Sequence, residues 1–177
     1  TTRPDIIKRW EINMAYNPTI NGAETPVREG KWAYGGNPNQ ITFNNDTDPD
    51  PYNNQPHPEA YGKLFVKTIL PESVKMEKVG GPGHEFENDA GVVYVDTNIN
   101  NVGALYTGAY YVDVIPAVPA TKDTFLHVLQ TADINNPAQA SAMTPTERID
   151  GDTMVGVYIK DDNQGHKVVM FGKTEPR

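Results

Sequence analysis

Gly62-Lys63-Leu64-Phe65-Val66-Lys67-Thr68-Ile69-Leu70-Pro71 is the stretch from which the fold can be read. Leu64, Val66, Thr68 and Leu70 fall on one side of an extended chain and Phe65, Lys67 and Ile69 on the other. That spacing of two suits a strand and not a helix. Pro71 closes it, because proline has no N–H to give to a ladder.

The same period recurs on either side. Ile6, Trp10, Ile12 and Met14 share one face of the first segment, with Arg9, Glu11 and Asn13 on the other and Lys8 as the one discordant inward position. Further strands are expected at Lys75 to Val79, Val92 to Asp96 and Tyr110 to Ile115. In Phe125 to Gln130 both faces are largely apolar, which predicts a central strand between packed sheets. Met154 to Lys160 and Lys167 to Phe171 form a hairpin around Asp161-Asp162-Asn163-Gln164-Gly165, where Gly165 can take a positive φ. Asn37 to Pro58 and Ala132 to Thr146 carry no strand pattern and are expected to be long connections. Short strands without helical period or internal repeat predict an all-β fold, an antiparallel two-layer β-sandwich, with residues 1–177 as a single domain.

Composition narrows the function classes. With 177 residues the chain is long enough for one core without disulfides, and it has no cysteine for thiol catalysis, thiolate zinc sites or iron–sulfur clusters. A net charge of −8 repels phosphate backbones, so no nucleic-acid partner is expected. The apolar run from Ala109 to Ala120 is interrupted by Asp113, Pro116 and Pro119, so no membrane span is expected there. The opening Thr1-Thr2-Arg3-Pro4 reads as a chain that has lost a targeting signal or that starts inside a longer protein.

Candidate chemistry is sparse. Asp46, Asp48 and Asp50 alternate as calcium ligands do, but Pro51 and His57 stand where an EF-hand loop needs Gly and Glu, so a solvated acidic loop is the competing reading. His57, His84, His127 and His166 show no metal-ligand spacing; His127, inside an apolar strand, reads as a core histidine. His84 follows Gly80-Gly81-Pro82-Gly83 and is the general-base candidate. That glycine run lacks the Lys-Ser/Thr ending of a phosphate loop, and no Gly-x-Ser-x-Gly elbow exists. Among the aromatics, Trp32, Tyr34, Tyr52 and Tyr61 are candidates for stacking on sugar rings, against ordinary strand composition as the alternative.

Gly62 to Pro71 followed by Val79-Gly80-Gly81-Pro82-Gly83-His84-Glu85-Phe86 resembles the C-terminal β-sandwich of heparinase II/III-like polysaccharide lyases. In that family a strand ending in Leu-Leu-Pro precedes a Val-Gly-Gly-x-Gly turn. Gly108-Ala-Tyr-Tyr-Val-Asp-Val-Ile-Pro116 and Asp123-Thr-Phe-Leu-His-Val-Leu129 are similar to later strands of the family, with Tyr111 where tryptophan is commoner. The resemblance implies a periplasmic or secreted accessory domain that packs on a catalytic α/α-toroid of the parent chain and contacts polysaccharide at most as one wall of a cleft. No family catalytic motif maps onto this chain. A free-standing carbohydrate-binding module, and an enzyme with His84 as base and a tyrosine as acid, are the alternatives.

Overall fold

The computed structural model describes residues 6–45, 61–93 and 109–173. They form antiparallel sheets packed in layers, as the period-two pattern predicts. One layer is a five-stranded sheet in the order β1, β8, β7, β4, β3. Its strands are β1 Trp10–Met14, β3 Ala23–Arg28, β4 Lys31–Gly35, β7 Val74–Gly80 and β8 Tyr110–Pro116. The facing layer has the order β2, β5, β6, β9, with β2 Thr19–Ile20, β5 Gln40–Asn45, β6 Gly62–Leu70 and β9 Leu126–Asp133.

Alternation decides which side chains meet between the layers. Tyr34, Val74, Met76, Val112 and Val114 come from the first sheet, and Ile20, Ile41, Phe43 and Val66 from the second. Trp10, Ile12, Met14, Trp32 and Leu64 pack against this cluster. Ile41, Val66, Met76, Val112 and Val114 are each 0% exposed, so this is the dry centre whose burial drives the fold.

β6 is buried on both faces, because a third element covers the outer side of its sheet. That element is a three-stranded sheet of β10 Thr146–Asp150, β11 Met154–Ile159 and β12 Lys167–Gly172, preceded by a single turn, α1 Pro137–Ala140. Asn136 caps α1 by accepting from the Ala138 N–H at 3.2 Å. On the outer face of β6, Lys63 Nζ donates to the Ala140 carbonyl at 2.8 Å and Lys67 Nζ to that of Thr146 at 3.1 Å. The Thr144 N–H donates to Gln130 Oε1 of β9 at 2.8 Å.

Three expectations need correcting. β9 is an edge strand, not a central one. Trp10 stacks on His127 at 3.9 Å on one face, where Leu129 is left exposed, and the Thr144 N–H bonds to Gln130 on the other. β5 lies inside the stretch expected to lack strands: Ile41 and Phe43 alternate inward between polar neighbours, too short a pattern to stand out. Within Ala132 to Thr146, the last residues of β9, the turn α1 and the start of β10 replace an unstructured connection. Part of the expected Val92 to Asp96 strand falls outside the described residues; Val93 forms an isolated antiparallel bridge with Glu87.

The carboxyl-terminal hairpin follows the sequence reading. β11 and β12 pair without a slip from Met154 opposite Gly172 to Ile159 opposite Lys167. Gly165 has φ +87°, and Asp161 Oδ1 accepts from the Asn163 and Gln164 N–H groups at 3.0 and 2.9 Å, which explains the acidic turn without a metal. Among the described residues no helix is long and apolar enough to cross a membrane.

Candidate functional site

Outward-facing side chains of the five-stranded sheet carry the polar chemistry. In β8 the inner residues Val112 and Val114 alternate with Tyr111 and Asp113, which therefore look outward. Register places Asn13 of β1 opposite Tyr111, and Asp113 between Glu11 of β1 and Glu77 of β7. Three carboxylates in one row across adjacent strands repel unless a cation lies close by. Arg9 supplies one, donating from Nη1 to Asp113 Oδ2 at 3.1 Å, while Lys31 Nζ lies 2.6 Å from Glu77.

The loop after β7 folds back over this face. Gly80, Gly81 and Gly83 all have positive φ, so the run that sequence flagged as a tight turn is one. Residues 87–93 form a small hairpin: the Asn88 N–H donates to the Val92 carbonyl at 3.0 Å, and Asn88 Oδ1 accepts from the Ala90 and Val92 N–H groups at 3.0 Å each. Arg9 Nη1 donates to Asp89 Oδ1 at 2.7 Å, and Arg28 Nη1 donates to Glu87 Oε2 at 3.0 Å. A cleft of about 500 Å³ remains between loop and sheet, with Glu11, Asn13 and Tyr111 as its floor and Phe86, Glu87 and Asp89 in its wall.

Burial and pairing set the protonation states. The Arg28 hydrogen bond holds the Glu87 carboxyl below the usual carboxylate range, despite a side chain only 1% exposed. An ionised Glu87 can only accept, so the 2.7 Å contact with His84 Nδ1 fixes the imidazole proton on that nitrogen. Asp89 is likewise lowered by the Arg9 hydrogen bond. Asp113 goes the other way: burial pushes it up to about 6, against the attraction of Arg9, and its Oδ1 has no hydrogen-bond partner among the described residues. Tyr111 is pushed up to about 12, first by burial and then by the surrounding carboxylates, so it stays a phenol.

Replacing Arg28 by methionine should therefore leave Glu87 as a buried carboxylate with only His84 for support. A loss of about 2 kcal/mol in urea unfolding is expected. An unchanged unfolding midpoint would contradict the pairing.

Of the residues singled out from sequence, His84 does sit at this face. It packs on Gly30, whose φ is +69° and where an added Cβ would lie 2.2 Å from His84 Cγ. Trp32 and Tyr34 do not reach the cleft. Tyr34 is 4% exposed in the core, and its hydroxyl donates to Glu24. The Trp32 ring is occupied by Lys78 Nζ at 4.6 Å, a buried cation that also donates to Asn17 Oδ1 at 3.0 Å. In this fold Tyr34 is a packing residue and the half-buried Trp32 holds a cation on its ring. Tyr61 is half-buried just before β6. Asp46, Asp48, Asp50 and Tyr52, and with them the calcium expectation, lie outside the described residues. Among the described residues no group of three or more His, Asp or Glu side chains could hold a metal ion.

Sequence reasoning passed over Arg9, Phe86, Glu87, Asp89 and Asp113, and held Tyr111 only as one of several aromatics able to stack on a sugar ring. One signal was present: a single Asp between Val112 and Val114, on the same face as Tyr111. The loop residues gave none, because their meeting with Arg9 and Arg28 depends on chain reversal across about 60 to 80 positions. Neither a protein-family model nor a curated protein sequence matches the chain.

Proposed function

We propose that this chain serves as the accessory β-sandwich of an extracytoplasmic heparinase II/III-like polysaccharide lyase acting on uronic-acid-containing glycans, packed against the catalytic toroid of its parent protein. The observation that carries the reading is that the segments bearing the resemblance are strands of one sandwich. β6 pairs with β9, β7 pairs with β8, and the Gly80-Gly81-Pro82-Gly83 run turns back over the β7–β8 face.

The chemistry of the cleft supports an accessory rather than a catalytic role. Uronate β-elimination needs a cation or donors for the substrate carboxylate and a base for the α-proton. Here Arg9 is engaged by Asp89 and Asp113, Arg28 by Glu87, and Tyr111 holds its proton. Ile7 and Val118 are 74% and 71% exposed. Their neighbours Lys8 and Ala120 are hydrogen-bonded, so the two apolar side chains belong to one end of the sandwich, where a neighbouring domain can cover them. The buried Tyr34 and the occupied Trp32 ring speak against the free-standing sugar-binding module first expected of them.

Incubated with heparin, chondroitin sulfate or alginate, the chain should release no unsaturated uronate detectable by ultraviolet absorbance; turnover on any of them overturns the reading. The paired change Ile7→Asp with Val118→Asp should leave unfolding free energy within about 0.5 kcal/mol of the starting protein. A large loss would mean that those side chains already have partners within this chain.

A further inference from the structure

We propose that the cleft between the 86–90 loop and the outer face of β1 and β8 binds a neutral pyranose sugar. The inference goes beyond the accessory-domain reading and does not depend on it. At about 500 Å³ the cleft is within the size range of small-ligand sites. Two aromatic residues on opposing elements line it, Tyr111 on the sheet and Phe86 on the loop. Phe86 is held at φ +57°, a backbone state that costs a bulky residue energy and that the surrounding hydrogen bonds must impose.

Around those rings stand groups suited to hydroxyls. The Asn13 amide donates to Glu11 Oε1 at 3.0 Å, which orders the two side chains together, and Glu87 and Asp89 are fixed by the arginines. A pyranose offers a C–H face for an aromatic ring and hydroxyls that both donate and accept, which is what amides and carboxylates can satisfy together. The frame is set before any ligand arrives, because the loop hairpin and both ion pairs hold it.

Charge selects the class of sugar. Glu11, Glu87 and Asp89 line the cleft and Asp113 lies behind Arg9, whereas Arg9 is shared between two of these carboxylates. A uronate or sulfate group would meet more negative charge than positive, and no lining cation is free of a carboxylate partner. A neutral ring meets no such penalty.

Saturation-transfer NMR on the full chain with the methyl glycosides of glucose, galactose and mannose, and with glucuronate, tests this. At least one neutral glycoside should receive saturation through its ring C–H protons, and glucuronate should not. Asn13→Ala, a change at an exposed strand position, should weaken binding about fivefold to tenfold, as expected for one lost hydrogen bond. Tyr111→Ala should abolish the signal; should that variant fail to fold, Asn13→Ala together with Glu11→Gln decides. Absence of transfer to all three neutral glycosides, equal transfer to glucuronate, or binding undiminished in the variants would overturn the proposal.

Discussion

A Gly80→Ala chain should lose about 4 kcal/mol of unfolding free energy, a large fraction of the roughly 5–15 kcal/mol that holds a typical domain folded. Gly80 ends β7 at φ +138°, where its N–H donates to the Gly30 carbonyl at 3.0 Å. An added Cβ would lie 2.1 Å from the Ala109 carbonyl oxygen and 2.6 Å from Tyr110 Cα. Both are backbone atoms of the segment that β7 pairs with, so no side chain can swing aside. Left-handed strain contributes about 1–3 kcal/mol and forced displacement of the strand a similar amount. Gly83→Ala is the control: its φ is +82°, yet nothing lies within 4 Å of the added carbon. It should cost only the conformational part, about 1 kcal/mol. Urea unfolding of the two variants separates space from backbone angle; equal losses would show that crowding against Ala109 is not what requires glycine.

The second large effect concerns acid. His127 is pushed down to about 4 by burial against Trp10, from an ordinary 6.5. It favours the folded state above pH 6.5, and that contribution is lost as pH falls through about 4. Asp113 has the opposite sign. Its folded pKa of about 6 exceeds the ordinary 3.8, so its contribution is complete below 3.8 and is lost as pH rises through 6. Each shift corresponds to about 3 kcal/mol, and the windows overlap, so the two nearly cancel in the starting protein. Single substitutions should uncover the slopes. Between about pH 4 and 6.5, Asp113→Asn should gain about 3 kcal/mol of stability as pH rises, and His127→Gln should lose about as much. Urea titrations followed by tryptophan fluorescence across that range would check both, and slopes of the same sign would refute the account.

How much of this was legible beforehand depended on the range of the interactions involved. β6 announces itself because nine residues alternate and both faces are covered, and the β11–β12 hairpin because its turn is chemically specific. β3 does not: Ala23–Arg28 is exposed along its length, contains Pro26, and owes its strand state to pairing with β4. β5 is similar, with two inward residues too few to establish a period. His127 was read as a core histidine from its apolar neighbours, and it lies half-buried with its ring stacked on Trp10. His84, which holds the cleft residue Glu87, was suspected because glycines precede it. Its partner Glu87 and the arginines that hold the loop come together only through sheet register, which no local pattern encodes. Trp32 and Tyr34 misled because an aromatic in a strand has the same composition whether it faces a core or a ligand.

The small sheet over β6 is attached differently from the two layers beneath it. Its described ties to the sandwich include Lys63 to Ala140, Lys67 to Thr146 and the exposed Arg148–Glu72 ion pair, not a shared ladder. Contacts of that kind permit sub-global opening, in which β10 to β12 detach while the sandwich stays closed. Both tryptophans of the chain, Trp10 and Trp32, are in the five-stranded sheet. Their emission therefore monitors the sandwich and would miss such a detachment, which a reporter near Tyr158 or backbone deuterium uptake would register.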